Sequence, residues 1–307
     1  MKFENINILN DTMAILDRGY YEVNGKRVNL KLSKAEMKEI SVFLPEDVKS
    51  ISDNKDFQHI HVMGRIGVGC VNMDSYSLAI KRYSDCSYMF SKKSKPILVL
   101  NLANPVNPGG GVRRGSKAQE EDLCRKSSLL LSLESSAASA YYKYNKSLNT
   151  YMGSDAVMVT PQVEIIKDEN GSLLDESVIV SVMTCAAPML RDGMAGLTDQ
   201  EYRDMVYGRI TGMLKVAAHL GYEVLILGAF GCGAFLNDAH VVSDLFYKAL
   251  KEFDYDGMKA KDFFRRIDFA VLSRSADQYN YKEFARNFSD FYREEDAAEV
   301  ASALERN

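Results

Sequence analysis

Two short apolar runs rich in branched side chains, residues 97–102 and 224–227, each empty directly into a glycine loop. Runs of that length and composition fit strands buried on both faces, which implies a sheet covered by helices on either side. The first run leads through Asn104-Pro105-Val106-Asn107-Pro108 to Gly109-Gly110-Gly111 and, after seven intervening residues, to Gln119-Glu120-Glu121. The second leads into Gly228-Ala229-Phe230-Gly231-Cys232-Gly233-Ala234-Phe235. Backbone without side chains approaches a phosphate or a ribose closely. Two such loops, one beside a carboxylate pair, point to a nucleotide-like ligand and acid–base chemistry on it.

A chain of 307 residues, 46% of them hydrophobic, is long enough to bury a substantial core. Its 38 basic and 42 acidic residues leave a formal charge of -4, which argues against a general nucleic-acid-binding surface. A polyanion has to be held locally. The five cysteines, Cys70, Cys86, Cys124, Cys185 and Cys232, are odd in number and lack paired short spacing. Neither a disulfide framework nor a zinc site is indicated, and a reducing compartment is expected. The N-terminus has no apolar leader, and no apolar run nears the roughly 18 residues of a membrane helix. The chain therefore reads as cytoplasmic, with no membrane partner.

The alternation of short apolar runs with longer amphipathic stretches predicts an α/β fold with a mixed or parallel sheet. Strands are expected at 59–62, 69–72, 96–102, 156–160, 177–184, 223–228 and 267–272. Helices are expected at 117–147, 199–220, 239–252 and 281–303. Residues 1–55 read as a helical N-terminal extension packed on the core, with Ser33 capping 34–40 and Pro45 closing the segment. Residues 56–307 then form one structural unit, since no internal repeat or low-complexity linker divides them.

Ser116-Lys117-Ala118-Gln119 fits a capping box, with Ser116 as N-cap and Glu120, Glu121 and Asp122 in the first helical turn. Acids there are ordinarily dipole complements. The stiff Pro105–Pro108 approach and the bare glycines give the segment the layout of a site instead. Adjacent helical residues point about 100° apart, so Glu120 and Glu121 do not make the facing pair of an ordinary glycosidase. One carboxylate must do the chemistry.

The second loop has neither the Gly-Lys-Ser/Thr ending of a P-loop nor the dinucleotide glycine spacing. Asn237 or Asp238 can cap the following helix, whose apolar positions Val241, Val242, Leu245, Phe246, Ala249 and Leu250 form a core-facing stripe. Amides of such a loop and helix start cradle a diphosphate without a lysine. Phe235 serves either the core or stacking on a sugar or base. Cys232, between glycines, reads as packing. His59 and His61 read as structural, and the charged tail from Arg293 carries no assigned role.

The triple glycine followed after seven residues by Gln-Glu-Glu, together with Gly231-Cys232-Gly233-Ala234-Phe235, resembles the bacterial-type poly(ADP-ribose) glycohydrolases. Arg18-Gly19-Tyr20-Tyr21, Asn72-Met73-Asp74-Ser75 and Leu100-Asn101-Leu102-Ala103 extend the likeness over roughly residues 10 to 290. The resemblance implies a macrodomain, with a mixed sheet sandwiched between helices and ADP-ribose in a cleft of strand-end loops. It implies Glu121 as catalytic carboxylate and Glu120 as the neighbour that orients the ribose hydroxyls. Gly109, Gly110 and Gly111 would line the scissile ribose, Gln119 would help bind the substrate, and Gly231, Cys232, Gly233 and Ala234 would hold the diphosphate, with Phe235 against the terminal ribose. Asn72 and Asp74 would lie toward the adenosine, and 184–188 would border the cleft.

On that reading a single residue, Glu121, protonates the departing ribose oxygen and then activates water, which requires its pKa to rise. No metal or other cofactor is called for, and the substrate is an ADP-ribose polymer or an ADP-ribosylated macromolecule. Two alternatives stay open: a module or sensor that binds ADP-ribose or a related nucleotide, and a hydrolase of single ADP-ribose units. Oligomeric state is not legible.

Overall fold

The computed structural model describes residues 2–53, 66–85, 95–194 and 196–288. Strands β1 (Tyr20–Val23) and β2 (Lys26–Asn29) make a two-stranded hairpin. The main sheet has seven strands: β3 (Ser41–Phe43), β4 (Gly67–Val71), β5 (Leu98–Leu102), β6 (Val157–Lys167), β7 (Leu173–Cys185), β8 (Val224–Leu227) and β9 (Arg266–Ala270). They run in the order β3-β6-β7-β5-β8-β9-β4. β3, β6 and β7 pair antiparallel, and β7, β5, β8, β9 and β4 pair parallel. The helices are α1 (Lys2–Arg18), α2 (Pro45–Asp53), α3 (Ser75–Asp85), α4 (Gln119–Lys126), α5 (Leu129–Leu133), α6 (Ser139–Ser147), α7 (Asp199–His219), α8 (Ala239–Lys251), α9 (Ala260–Phe263) and α10 (Tyr279–Phe288).

Pleating explains why β8 is apolar throughout and β5 apolar except at Asn101. Leu98, Leu100, Leu225 and Leu227 face a core shared with α2, α7, α8 and α10. Ile97, Val99, Val224 and Ile226 face a second core built with α1, α3, α4, α5 and α6. A mixed sheet sandwiched between helices is the result. On the first face the rings of Phe269 and Phe288 stack with centroids 4.1 Å apart and hold α10 against β9. On the second, buried Asp268 of β9 takes Arg82 of α3 at 2.7 Å, which fixes α3 over the sheet.

The sequence reading needs correction at several elements. Among the described residues of 1–55 only α1 and α2 are α-helical. Asn24 and Gly25 both have positive φ (51° and 72°), the turn that closes a two-residue hairpin, and that Asn-Gly pair was the available signal for β1–β2. Ser33 does exchange hydrogen bonds with Glu36, but only the 3-10 turn Glu36–Lys38 follows. Pro45 opens α2 rather than closing a segment, because a first helical position needs no amide donor.

The stretch 117–147 is three helices, not one. Ser127 pairs as a β-bridge with Ile165, and Ser128 exchanges hydrogen bonds with Glu164, so two serines leave the helix for β6. β6 runs past Pro161 to Lys167 because a register shift between Thr160 and Val163 absorbs the missing amide. The strand expected at 59–62, with His59 and His61, and the end of the helix expected at 281–303 lie outside the described residues.

Glu164 explains how the N-terminal segment is fastened. Fully buried, it accepts hydrogen bonds from the amides of Lys31 (2.8 Å) and Leu32 (3.0 Å) and from the Ser177 hydroxyl (2.6 Å). Glu164→Gln turns an acceptor into a donor against these donors. It should lower stability by roughly 2–3 kcal/mol in urea titrations and speed amide exchange at Lys31 and Leu32. An unchanged midpoint would show that the clamp carries no stability.

Candidate active site

A cleft of about 890 Å³ opens at the C-terminal ends of the parallel strands, lined by residues at or within two positions of those ends, among them Met73, Leu102, Ala187, Ala229 and Val271. Crevices at carboxyl ends of strands are the usual ligand sites of such sheets. Its first wall is the segment from β5 to α4. Asn104 stiffens that segment by accepting from the amides of Val106 and Asn107 with Oδ1. Gly109 and Gly110 then take positive φ, 66° and 58°. Gly109 is turned inward, where a Cβ would strike Leu130 at 2.7 Å. Gly110 is bare for another reason: a Cβ there would meet Glu121 Oε1 at 2.6 Å and Glu120 Oε2 at 3.1 Å. Both carboxylates converge on one glycine.

The helix that carries them does not start as the sequence pattern implies. Ala118, not Ser116, occupies the N-cap, and no side chain caps it. Gln119, in place of completing a capping box, accepts from Leu102 N (2.9 Å) and donates to Leu100 O (2.7 Å) and Ser75 Oγ (3.1 Å). It thereby bolts α4 to β5, with its amide engaged by protein. Ser116 is held by its own amide on Gly111 O and by Arg125, which donates to Ser116 O at 2.5 Å.

Glu120 and Glu121 are 2% and 7% exposed. Glu120 has both oxygens engaged: Oε2 accepts from Asn104 N at 2.7 Å, and Oε1 faces Asn101 Nδ2 at 3.4 Å. Burial pushes its carboxyl up to about 8; the Asn104 amide, the Asn101 side chain and the Gly109 amide oppose the rise, and the Glu121 charge adds to it. Glu121 differs. Its Oε1 accepts from Gly111 N at 2.8 Å, while Oε2 is buried with no protein partner. A buried acceptor left open inside a cleft is a natural contact for a ligand hydroxyl or water. Asp122, third in the turn, is paired with Lys126 (2.6 Å) and Arg125 (3.1 Å).

The opposite wall is the loop after β8. Gly231, at φ 77°, packs so tightly that a Cβ would meet Ala187 at 2.6 Å. A Cβ on Gly233 would meet no protein atom within 4 Å, so the fold itself does not demand that glycine. Among the described residues the amides of Gly233, Ala234 and Phe235 have no protein acceptor, which leaves three donors for an anion. Leu236 follows at φ 61°, a strained conformation for a branched residue, with its amide on Gly233 O. Buried Asn237 braces the loop from below, donating to Pro188 O (2.7 Å) and Gly231 O (3.1 Å) and accepting from Tyr202. Of the two cap candidates, Asp238 caps α8, accepting from His240 N.

Glu120, Glu121, Gly110, Gly111, Gln119, Gly231, Gly233, Ala234 and Phe235 come together on the cleft lining, and Asp74 joins them. Phe235 is half-buried, packs on the core as the first of its two sequence readings has it, and also lines the cleft. Gly109 and Cys232 sit behind the lining; the Cys232 thiol points to Phe230 O, and burial pushes its pKa up. Asn72 is outside the lining, accepting from Ser273 N at 2.9 Å. Asp74 accepts from the amides of Tyr76 and Ser77 at the start of α3. Of 184–188, Ala187 borders the cleft. Residues not singled out from sequence are Asn101, Asn104 and Arg191, the last of which donates to Ala234 O at 2.7 Å. Asn104 before Pro105 was a readable turn signal; nothing local marks Arg191 or Asn101.

A profile of the family described as microbial-type PARG, catalytic domain, matches residues 10–168. The fold is similar to poly(ADP-ribose) glycohydrolase from Thermomonospora curvata bound to the inhibitor ADP-HPD: TM-score 0.80, 27% identity, 93% of this chain and 100% of that chain covered. It is also similar to poly(ADP-ribose) glycohydrolase from Deinococcus radiodurans in complex with ADP-ribose: TM-score 0.69, 29% identity, 85% and 98% covered. No curated protein sequence matches the chain.

The raised Glu120 carboxyl has a measurable consequence. A group whose folded pKa lies above its unfolded value contributes stability in full below the unfolded pKa and loses it as pH rises through the folded one, here about 8. Glu120→Gln carries no such proton. Its stability relative to wild type should therefore climb between pH 5 and pH 8.5, by on the order of a few kcal/mol. Denaturant midpoints across that range test it, and a constant difference would mean that Glu120 is ionised throughout.

Proposed function

The chain belongs to the microbial-type PARG catalytic-domain family, enzymes that hydrolyse poly(ADP-ribose), and on that premise we propose that Glu121 is the general acid and base with which it releases ADP-ribose. The observation that carries this is the asymmetry of the two carboxylates. Glu120 is bound at both oxygens, whereas Glu121 keeps Oε2 buried and open beside Gly110 and Gly111. In the reaction, Glu121 donates its proton to the leaving ribose oxygen as the glycosidic C–O bond breaks and positive charge spreads over the sugar. Water then adds to the anomeric carbon and returns a proton to the same carboxylate. One residue serves both steps, and no metal enters the cycle.

The remaining groups bind and orient. Gly110 and Gly111 line the scissile ribose, and Glu120 holds its hydroxyls. The diphosphate lies on the amides of Gly233, Ala234 and Phe235, with Arg191 beside them. The Phe235 ring packs on the ribose edge, and Asp74 lies toward the adenosine. On this reading the fold is a macrodomain in which residues 1–55 and 56–307 form one unit; β3, from the first stretch, supports this by pairing with β6. A cytoplasmic location suits the free Cys70, Cys124, Cys185 and Cys232, and no described helix is long and apolar enough to cross a membrane.

Glu121→Gln should lose at least ~100-fold in single-turnover release of ADP-ribose from the polymer yet keep its calorimetric affinity for ADP-ribose. Wild-type turnover should survive EDTA. Near-normal hydrolysis by folded Glu121→Gln would overturn the assignment and favour a binding module; loss in EDTA restored by a divalent ion would overturn the metal-free cycle.

A further inference from the structure

The cleft does not end at Glu121. Beyond Gly111 its lining continues along Arg114, Ser116 and Lys117 and across to Glu4, Asn5 and Ile8 of α1. At about 890 Å³ it lies near the top of the ~300–1,000 Å³ typical of ligand sites. This arm belongs to the layer of α1 and α4, whereas the loop at 231–235 leads into α8 in the other layer. It therefore extends away from the diphosphate loop, past the carboxylates.

Its charge is distinctive. Arg114 and Lys117 are both exposed and, among the described residues, neither side chain has an ionic or hydrogen-bonding partner. The neighbouring cations are engaged: Arg113 holds Glu134 at 2.6 Å, and Arg125 and Lys126 hold Asp122. Glu4 of α1 lines the same stretch, which leaves the two free cations in excess by one.

The backbone that presents them is fixed from three sides. Asn5 of α1 donates to Gly115 O at 3.0 Å, Arg125 donates to Ser116 O at 2.5 Å, and Ser116 N bonds Gly111 O. Thr12, further along α1, donates to Arg125 O at 2.6 Å and so locks α1 to α4. The two cations thus stand on a braced turn within the segment that also carries Gly111 and the glutamates. A chain with formal charge -4 has no general attraction for polyanions, so such a local pair matters.

Resting on the glycohydrolase reading above, we propose that this arm is the leaving-group subsite, in which Arg114 and Lys117 bind the diphosphate of the ADP-ribose unit that follows the scissile bond. The enzyme then reads two successive units of the polymer, one on each side of Glu121. The two cations act only on substrates whose leaving group carries a phosphate.

The test compares wild type with the double variant Arg114→Ala/Lys117→Ala on two substrates: poly(ADP-ribose), and ADP-ribose bearing a p-nitrophenyl ether at the anomeric carbon. The second has the same ADP-ribosyl half but an uncharged leaving group. For the polymer, kcat/KM should fall roughly 5- to 30-fold, the combined scale of two exposed charge contacts, and its salt dependence should flatten. Turnover of the aryl substrate and the Kd for ADP-ribose should stay within twofold of wild type. Equal losses on both substrates, or no loss on either, would overturn the subsite. If wild type cleaves neither substrate, the glycohydrolase reading itself fails, an outcome distinct from failure of the subsite alone.

Discussion

Two adjacent carboxyl groups buried at the start of one short helix set the terms for the rest of the molecule. Removing charge from water costs several kcal/mol unless hydrogen bonds or a proton compensate. The compensation here comes from backbone: Asn104 N for Glu120 and Gly111 N for Glu121. Those amides reach the carboxylates only because Gly109 and Gly110 turn through positive φ and Gly110 has no side chain to block them. The glycine run, the proline-stiffened approach and the helix register are consequences of housing these two groups.

Housing them also differentiates them. Glu120 lies against Asn101 and Asn104, where burial dominates and its pKa rises to about 8. Glu121 reaches toward Gly111 and leaves one oxygen open. Identical side chains one residue apart acquire different hydrogen-bonding environments because neighbours on a helix face different surroundings. The fold keeps this arrangement rigid. Gln119 ties α4 to β5 and α3, Arg125 ties it to the preceding turn, and α1 braces both through Thr12 and Asn5.

The opposite wall follows a different principle. The loop at 231–235 has no carboxylate to bury, and its glycines divide by cause. Gly231 is required by contact with Ala187, while a side chain at Gly233 would meet no protein atom within 4 Å. Asn237, which sequence reasoning offered as a helix cap, is the buried pin beneath the loop. The strained Leu236 shows that the loop's shape is imposed by its supports, not by the preference of its own residues.

What the sequence by itself determined is the local and periodic part. Apolar runs announced β5 and β8, the long amphipathic stretches announced α7 and α8, and the spacing from Gly109 to Glu121 pointed to residues that line the cleft. Misreadings arose where a local pattern had a tertiary competitor. Ser127 and Ser128 leave the helix because β6 offers them partners, Ser116 yields the cap because Arg125 and Gly111 hold it elsewhere, and Pro161 sits within a strand because a register shift takes it in. Tertiary structure alone decided which glutamate oxygen stays open, where Arg191 lies, and that α1 walls the far end of the cleft. These depend on contacts between residues tens to hundreds of positions apart, and neither hydrophobic period nor residue propensity encodes which distant backbone will arrive beside a given side chain.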